Sequence, residues 1–169
     1  MLKKILLFLL IIMSFYSCGS YQKINENKNE SIDSKIPNKA PSLVDKIVWT
    51  AVSFKGTPYK YGSTNNKGMD CSGLIFTSFK KRKILLPRSS RLMYTKGIHI
   101  KLNEAKRGDL LFFKTSRKKT VNHVGLITST EKGKIQFIHA TSSKGVLVSY
   151  LSEKYWKRAF VGAKRVIHQ

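Results

Sequence analysis

The chain has 169 residues, 41% of them hydrophobic, which gives room for one globular domain with a proper core. Lys and Arg number 32 against 9 Asp and Glu, a formal net charge of +23, which favours a polyanionic neighbour such as nucleic acid, an anionic membrane or an acidic wall polymer. The dense basic clusters, Lys80-Lys81-Arg82-Lys83 and Arg117-Lys118-Lys119, do not alternate with aromatic residues, and no nucleic-acid motif appears. Nucleic acid is therefore set aside as a partner, and the charge reads as solubilising and membrane-attracting.

The N-terminus reads as an export signal over residues 1–17. Lys3-Lys4 precede an apolar run from Ile5 to Met13, too short for a membrane span of ~20 residues, and small residues follow. Phe15-Tyr16-Ser17-Cys18 resembles the lipobox of bacterial lipoproteins, which implies cleavage before Cys18 and a lipid anchor on it. Phe15 and Tyr16 are bulkier than the usual residues there, and the alternative is a plain signal peptide with an incidental cysteine. If Cys18 carries lipid, Cys71 remains as an unpaired thiol in an exported chain, an arrangement that marks a candidate reactive residue.

Residues 18–40 are polar and read as a tether. The folded domain is expected over 41–169. Ser42 and Asp45 form a capping-box-like start to a helix whose apolar face is Leu43, Ile47, Val48, Ala51 and Phe54, ending near Gly56. Pro58 to Ser63 is a loop. A second helix is expected from Cys71 to about Lys83, then a turn through Pro87 into a short helix reaching Met93 and Tyr94. Strand-like runs follow at 110–113, 123–128, 135–141, 146–150 and 160–166. Helices first and a meandering antiparallel sheet second make an α+β layout rather than alternating β-α-β.

Gly68 and Asp70 are turn residues, so Cys71 falls at the first turn of its helix, where unpaired N–H groups and the helix dipole favour thiolate. The alternative is a small buried hydrophobe. His123 opens one strand and His139 closes the next, so an antiparallel meander allows them to be neighbours, as a base and the group that orients it. His99 sits in a mixed segment and His168 at the terminus, without site chemistry around either. Zinc fails on ligand count: Cys71, His123 and His139 lack companions at metal spacings, and Asp70 is awkwardly adjacent to Cys71. No metal or cofactor is expected.

Pro58-Tyr59-Lys60-Tyr61-Gly62, Asp70-Cys71-Ser72-Gly73-Leu74, Leu86-Pro87-Arg88-Ser89-Ser90, Arg107-Gly108-Asp109-Leu110, His123-Val124-Gly125 and His139-Ala140 occur in this order over roughly residues 43 to 167. This set resembles the NlpC-type cell-wall peptidases. The resemblance implies a papain-like α+β fold, with N-terminal helices packed on a small antiparallel sheet. It also implies hydrolysis of peptide bonds in peptidoglycan stem peptides, after γ-linked D-glutamate or within diaminopimelate cross-bridges. Cys71 is then the nucleophile, His123 the base, His139 the third polar group and Tyr59 the tyrosine flanking the nucleophile. Asp70, Ser72 and Arg88 are placed with Tyr59 on the oxyanion or substrate side; Arg88 pairs either with a substrate carboxylate or in a structural ion pair. Ser63 stands where a second glycine is common, and Met93 where glutamine is often found.

The expected mechanism is acyl transfer through a thioester, with the Cys71 N–H and the Tyr59 hydroxyl holding the oxyanion. The expected partners are stem peptides and a membrane, reached through lipid on Cys18 and facing the wall, with the chain acting as a monomer. The rivals are a wall-binding lipoprotein without catalysis, and a papain-like amidase or acyltransferase on another substrate.

Overall fold

The computed structural model describes residues 40–117 and 119–167; the export signal, Cys18, the tether up to residue 39 and His168 lie outside them. Helix α1 (Leu43–Val52) starts where expected, because Ser42 and Asp45 close a reciprocal capping box. A two-residue hairpin, β1 (Thr64–Asn65) and β2 (Gly68–Met69), leads into α2 (Cys71–Lys80). This helix stops one turn before the expected Lys83, which adopts a left-handed conformation at φ 60°. A short α3 (Ser90–Met93) follows, capped by Ser89.

The sheet then forms from β3 (Ile98–Ile100), β4 (Leu110–Phe113), β5 (His123–Ser129), β6 (Gln136–Thr141), β7 (Gly145–Tyr150) and β8 (Phe160–Arg165). A short helix, α4 (Lys154–Ala159), precedes β8. Strand order is β3-β8-β4-β5-β6-β7, every pairing antiparallel. The expected meander is β4 to β7; β8 returns to the far side of β4, and β3 extends that edge. The fold is papain-like α+β.

Strand alternation gives the sheet two buried faces. Leu110, Phe112, Val124, Leu126, Ile138 and Ala140 share one core with Ile47 and Val48 of α1 and Leu74, Ile75 and Phe79 of α2. Leu111, Phe113, Ile127, Phe137 and Ala163 share a second core with Trp156 of α4. Two ion pairs brace the fold, one between sheet and helix and one within the sheet. Arg107 reaches Asp45 of α1 at 3.1 Å and also donates to the Thr128 carbonyl, while buried Asp109 takes both Nε and Nη2 of Arg165 at 2.8 and 2.7 Å.

Candidate active site

Asp70 is the N-cap of α2, and it does more than cap. Its Oδ1 accepts the Gly73 N–H at 2.6 Å and the Ser72 hydroxyl at 3.1 Å, and its Oδ2 accepts the Gly62 N–H at 2.7 Å. Arg88 closes on the same carboxylate, Nη1 to Oδ1 at 2.9 Å and Nη2 to Oδ2 at 2.8 Å, and also donates to Ser72 Oγ and the Ser63 carbonyl. Burial alone would raise the Asp70 carboxyl; Arg88 and the Gly73 and Gly62 N–H groups outweigh it and hold the group below the usual carboxylate range. Of the two roles open to Arg88, the structure places its fork in the ion pair. Gly73 is required here because a Cβ would sit 2.2 Å from the Ser63 carbonyl oxygen.

This bracing holds Cys71 at the first position of α2, between two cavities. One, of about 530 Å³, is lined by Tyr59, Cys71, His123, Ser149 and Trp156 among others. The second, of about 620 Å³, is lined by Tyr59, Asp70, Cys71, Ser72 and Arg88. Tyr59 overlooks both. Its loop is pinned to the sheet by reciprocal bonds, Gly56 N–H to the Val146 carbonyl and Val146 N–H to the Thr57 carbonyl, each 2.9 Å. Gly145, at φ 65°, permits that approach, since a Cβ would lie 2.2 Å from the Thr57 oxygen. Burial, and then the adjacent Cys71, push the Tyr59 phenol up, so it is a neutral hydrogen-bond donor.

The histidines sit on the sheet face that carries Trp156. Leu126 pairs with Ile138, so His123 and His139 become diagonal neighbours on one face of β5 and β6. His123 Nε2 and His139 Nδ1 are 3.0 Å apart, with the rings perpendicular at 88°. His139 Nε2 is 3.0 Å from Ser149 Oγ on β7. Trp156 stacks on His123 at 5.2 Å between centroids and meets His139 edge-on at 4.5 Å; Phe137 stacks on His139 from its own strand. His139 is fully buried, whereas His123 and Ser149 reach the first cavity. His99 lies apart, exposed in β3.

The thiol differs from the sequence-based expectation. The backbone N–H groups of Val124, Ser72 and Cys71 all face the sulfur and favour thiolate, but burial outweighs them and pushes the Cys71 thiol up to about 11. Burial holds His123 down at about 4; burial and then the His123 charge hold His139 down at about 3. Burial therefore disfavours the charged forms of the thiol and of both imidazoles in the resting site. Ser149, Trp156 and the Val124 N–H were not singled out from sequence. Only the placement of Ser149 among Val146, Leu147 and Val148 hints at an inward polar residue.

Known proteins resemble this chain over most of the described domain. The NlpC/P60 family profile matches residues 56–165. The probable endopeptidase NlpC of Escherichia coli is 39% identical over 115 residues, 68% of this chain and 72% of that protein. The murein DD-endopeptidase MepS/murein LD-carboxypeptidase of the same organism is 36% identical over 123 residues, 72% of this chain and 62% of that protein. A crystal structure of a protein described as similar to lipoprotein, NLP/P60 family, from Staphylococcus aureus superposes with a TM-score of 0.64 at 35% identity. It covers 75% of this chain, which spans 42% of the length of that one. The chain belongs to the NlpC/P60 family.

Proposed function

We propose that this chain is a peptidoglycan endopeptidase of the cysteine peptidase type, cutting peptide bonds in the stem peptides or cross-bridges of bacterial cell wall. The observation that carries the reading is the sharing of one cavity by Cys71 and His123, with His139 hydrogen-bonded behind His123. The murein and endopeptidase names of its relatives supply the substrate class.

In this reading Cys71 is the nucleophile, His123 the base and His139 the orienting group. The Cys71 thiol proton passes to His123 Nδ1 as the sulfur attacks the amide carbon, and the carbonyl oxygen takes the negative charge. The Cys71 N–H and the Tyr59 hydroxyl are the oxyanion donors; each such donor is worth about 3–4 kcal/mol of transition-state stabilisation. Collapse expels the amine, which takes its proton from His123 and leaves a Cys71 thioester. Water, giving its proton to His123, hydrolyses that thioester, and the proton returns to the sulfur. Asp70, Ser72 and Arg88 hold the nucleophile's helix in place.

Export with a lipid anchor on Cys18 is part of the same reading. It rests on the N-terminal sequence alone and would deliver the domain, acting as a monomer, to the wall. Digestion of purified sacculi tests the activity. Wild type releases muropeptides and Cys71→Ala does not; equal release by the two overturns the proposal.

A further inference from the structure

The hydrogen-bond chain does not end at the second histidine. His139 Nε2 meets Ser149 Oγ at 3.0 Å, and Ser149 is both buried and at the edge of the cavity that holds Cys71. Among the described residues this is the hydroxyl's only hydrogen-bond partner. We infer that Ser149 is a positioning residue that sets the tautomers of both imidazoles, so that His123 presents a lone pair to Cys71. The inference rests on the reading of Cys71 as nucleophile and His123 as base.

A neutral imidazole has one N–H and one lone pair, so two linked imidazoles and a hydroxyl can be ordered in only two directions. If Ser149 accepts, His139 carries its proton on Nε2 and offers Nδ1 as acceptor. His123 then donates from Nε2, and its Nδ1, which has no hydrogen-bond partner among the described residues, is a lone pair. If Ser149 donates, every assignment reverses, and His123 turns an N–H towards the thiol and cannot act as a base.

Two features favour the first direction. Ser149 lines the cavity, so its own proton can be given to solvent or substrate, which frees its oxygen to accept. Proton transfer from Cys71 makes an imidazolium with N–H on both nitrogens, and that cation needs His139 Nδ1 as an acceptor. In the first direction nothing has to reorient during the reaction. Acting through His139, a serine hydroxyl thereby fixes the tautomer of the base, as a carboxylate does directly in a Ser-His-Asp triad, without adding charge beneath Trp156.

The titratable groups around the relay are Cys71 from α2, Tyr59 from the loop across the groove, Lys144 from the turn between β6 and β7, and Glu153 and Tyr155 at the cavity rim beside α4. The test uses the full chain carrying Ser149→Ala and Ser149→Thr, with Cys71→Ala as control. The readouts are the nitrogen-15 imidazole spectrum, and kcat and KM on a soluble stem peptide. The wild-type spectrum is expected to show both histidines protonated at Nε2. Ser149→Ala is expected to give mixed tautomers and a kcat lower by about tenfold with KM unchanged, and Ser149→Thr to restore both. An Ser149→Ala enzyme with wild-type tautomers and wild-type kcat overturns the inference, as does a wild-type spectrum with His123 protonated at Nδ1. Hydrolysis that survives Cys71→Ala overturns instead the reading on which the inference rests.

Discussion

His123 Nε2 lies 3.0 Å from His139 Nδ1, on the face of the sheet opposite the helix that carries Cys71. The relay thus belongs to one core and the thiol to the other, and they share the cavity at the mouth of β5, where the Val124 N–H faces the sulfur. Orientation of His123 is consequently a property of the β6 and β7 side chains behind it. Replacing His139 with Ala removes the acceptor for His123 Nε2. The expected result is a kcat lower by about 10²-fold with little change in KM, checked by steady-state kinetics on stem peptides.

The resting state is predicted to be uncharged. With the Cys71 thiol at about 11 and His123 at about 4, the ultraviolet absorbance of thiolate should show no step as the pH is raised from 5 to 9. Alkylation of Cys71 should be correspondingly slow at neutral pH and accelerate only in alkaline solution. The acid limb of kcat/KM should fall at about pH 4, where His123 becomes protonated and ceases to be a base.

Stability should decline on mild acidification. Both histidines are held below their ordinary value of 6.5 by burial, so the unfolded chain binds protons before the folded one does. Their contribution is fully present above pH 6.5 and is lost as pH falls towards 4 and then 3. Thermal melts should show Tm dropping within that window. Trp156→Ala, which strips cover from both rings, should lower Tm at pH 7 by removing about 3–5 kcal/mol of stability and should raise both histidine values.

Asp70 should matter more to the site than a helix cap alone. Asp70→Ala would orphan the Gly62 and Gly73 N–H groups and leave Arg88 without its carboxylate beside the nucleophile, held by Ser72 Oγ and the Ser63 carbonyl. The expected cost is about 3 kcal/mol, read by chemical denaturation, with loss of activity that exceeds the loss of folded protein. Arg88→Lys keeps the charge but cannot bridge both carboxylate oxygens, and should give a smaller loss in each measurement.

Much of this architecture was legible in the residues. Leu110 to Phe113 and His123 to Thr128 are apolar enough to be strands buried on both faces, and β4 to β7 follow one another as a meander must. The neighbourhood of His123 and His139 followed from strand ends alone. Helix α4 was missed because Lys154 to Ala159 buries a single residue, Trp156, and so shows no apolar period. Strand β3 was missed because Ile98 and His99 are exposed, and its identity comes from pairing with β8. Ser149 depends on register: it faces the relay because it pairs with Phe137, which no local pattern reveals. The burial of the thiol was out of reach for a related reason. The helix terminus is visible in Asp-Cys-Ser-Gly, but the desolvation that outweighs it comes from residues distant in the chain.

Transfer of a stem peptide to the Cys71 sulfur leaves a covalent trace. Acid-quenched turnover followed by mass spectrometry of the digested protein should show an acyl adduct confined to the peptide containing Cys71, formed within the first turnover and absent from the His123→Ala variant. Accumulation of hydrolysed product with no adduct on that peptide, or an adduct on another residue, would contradict it.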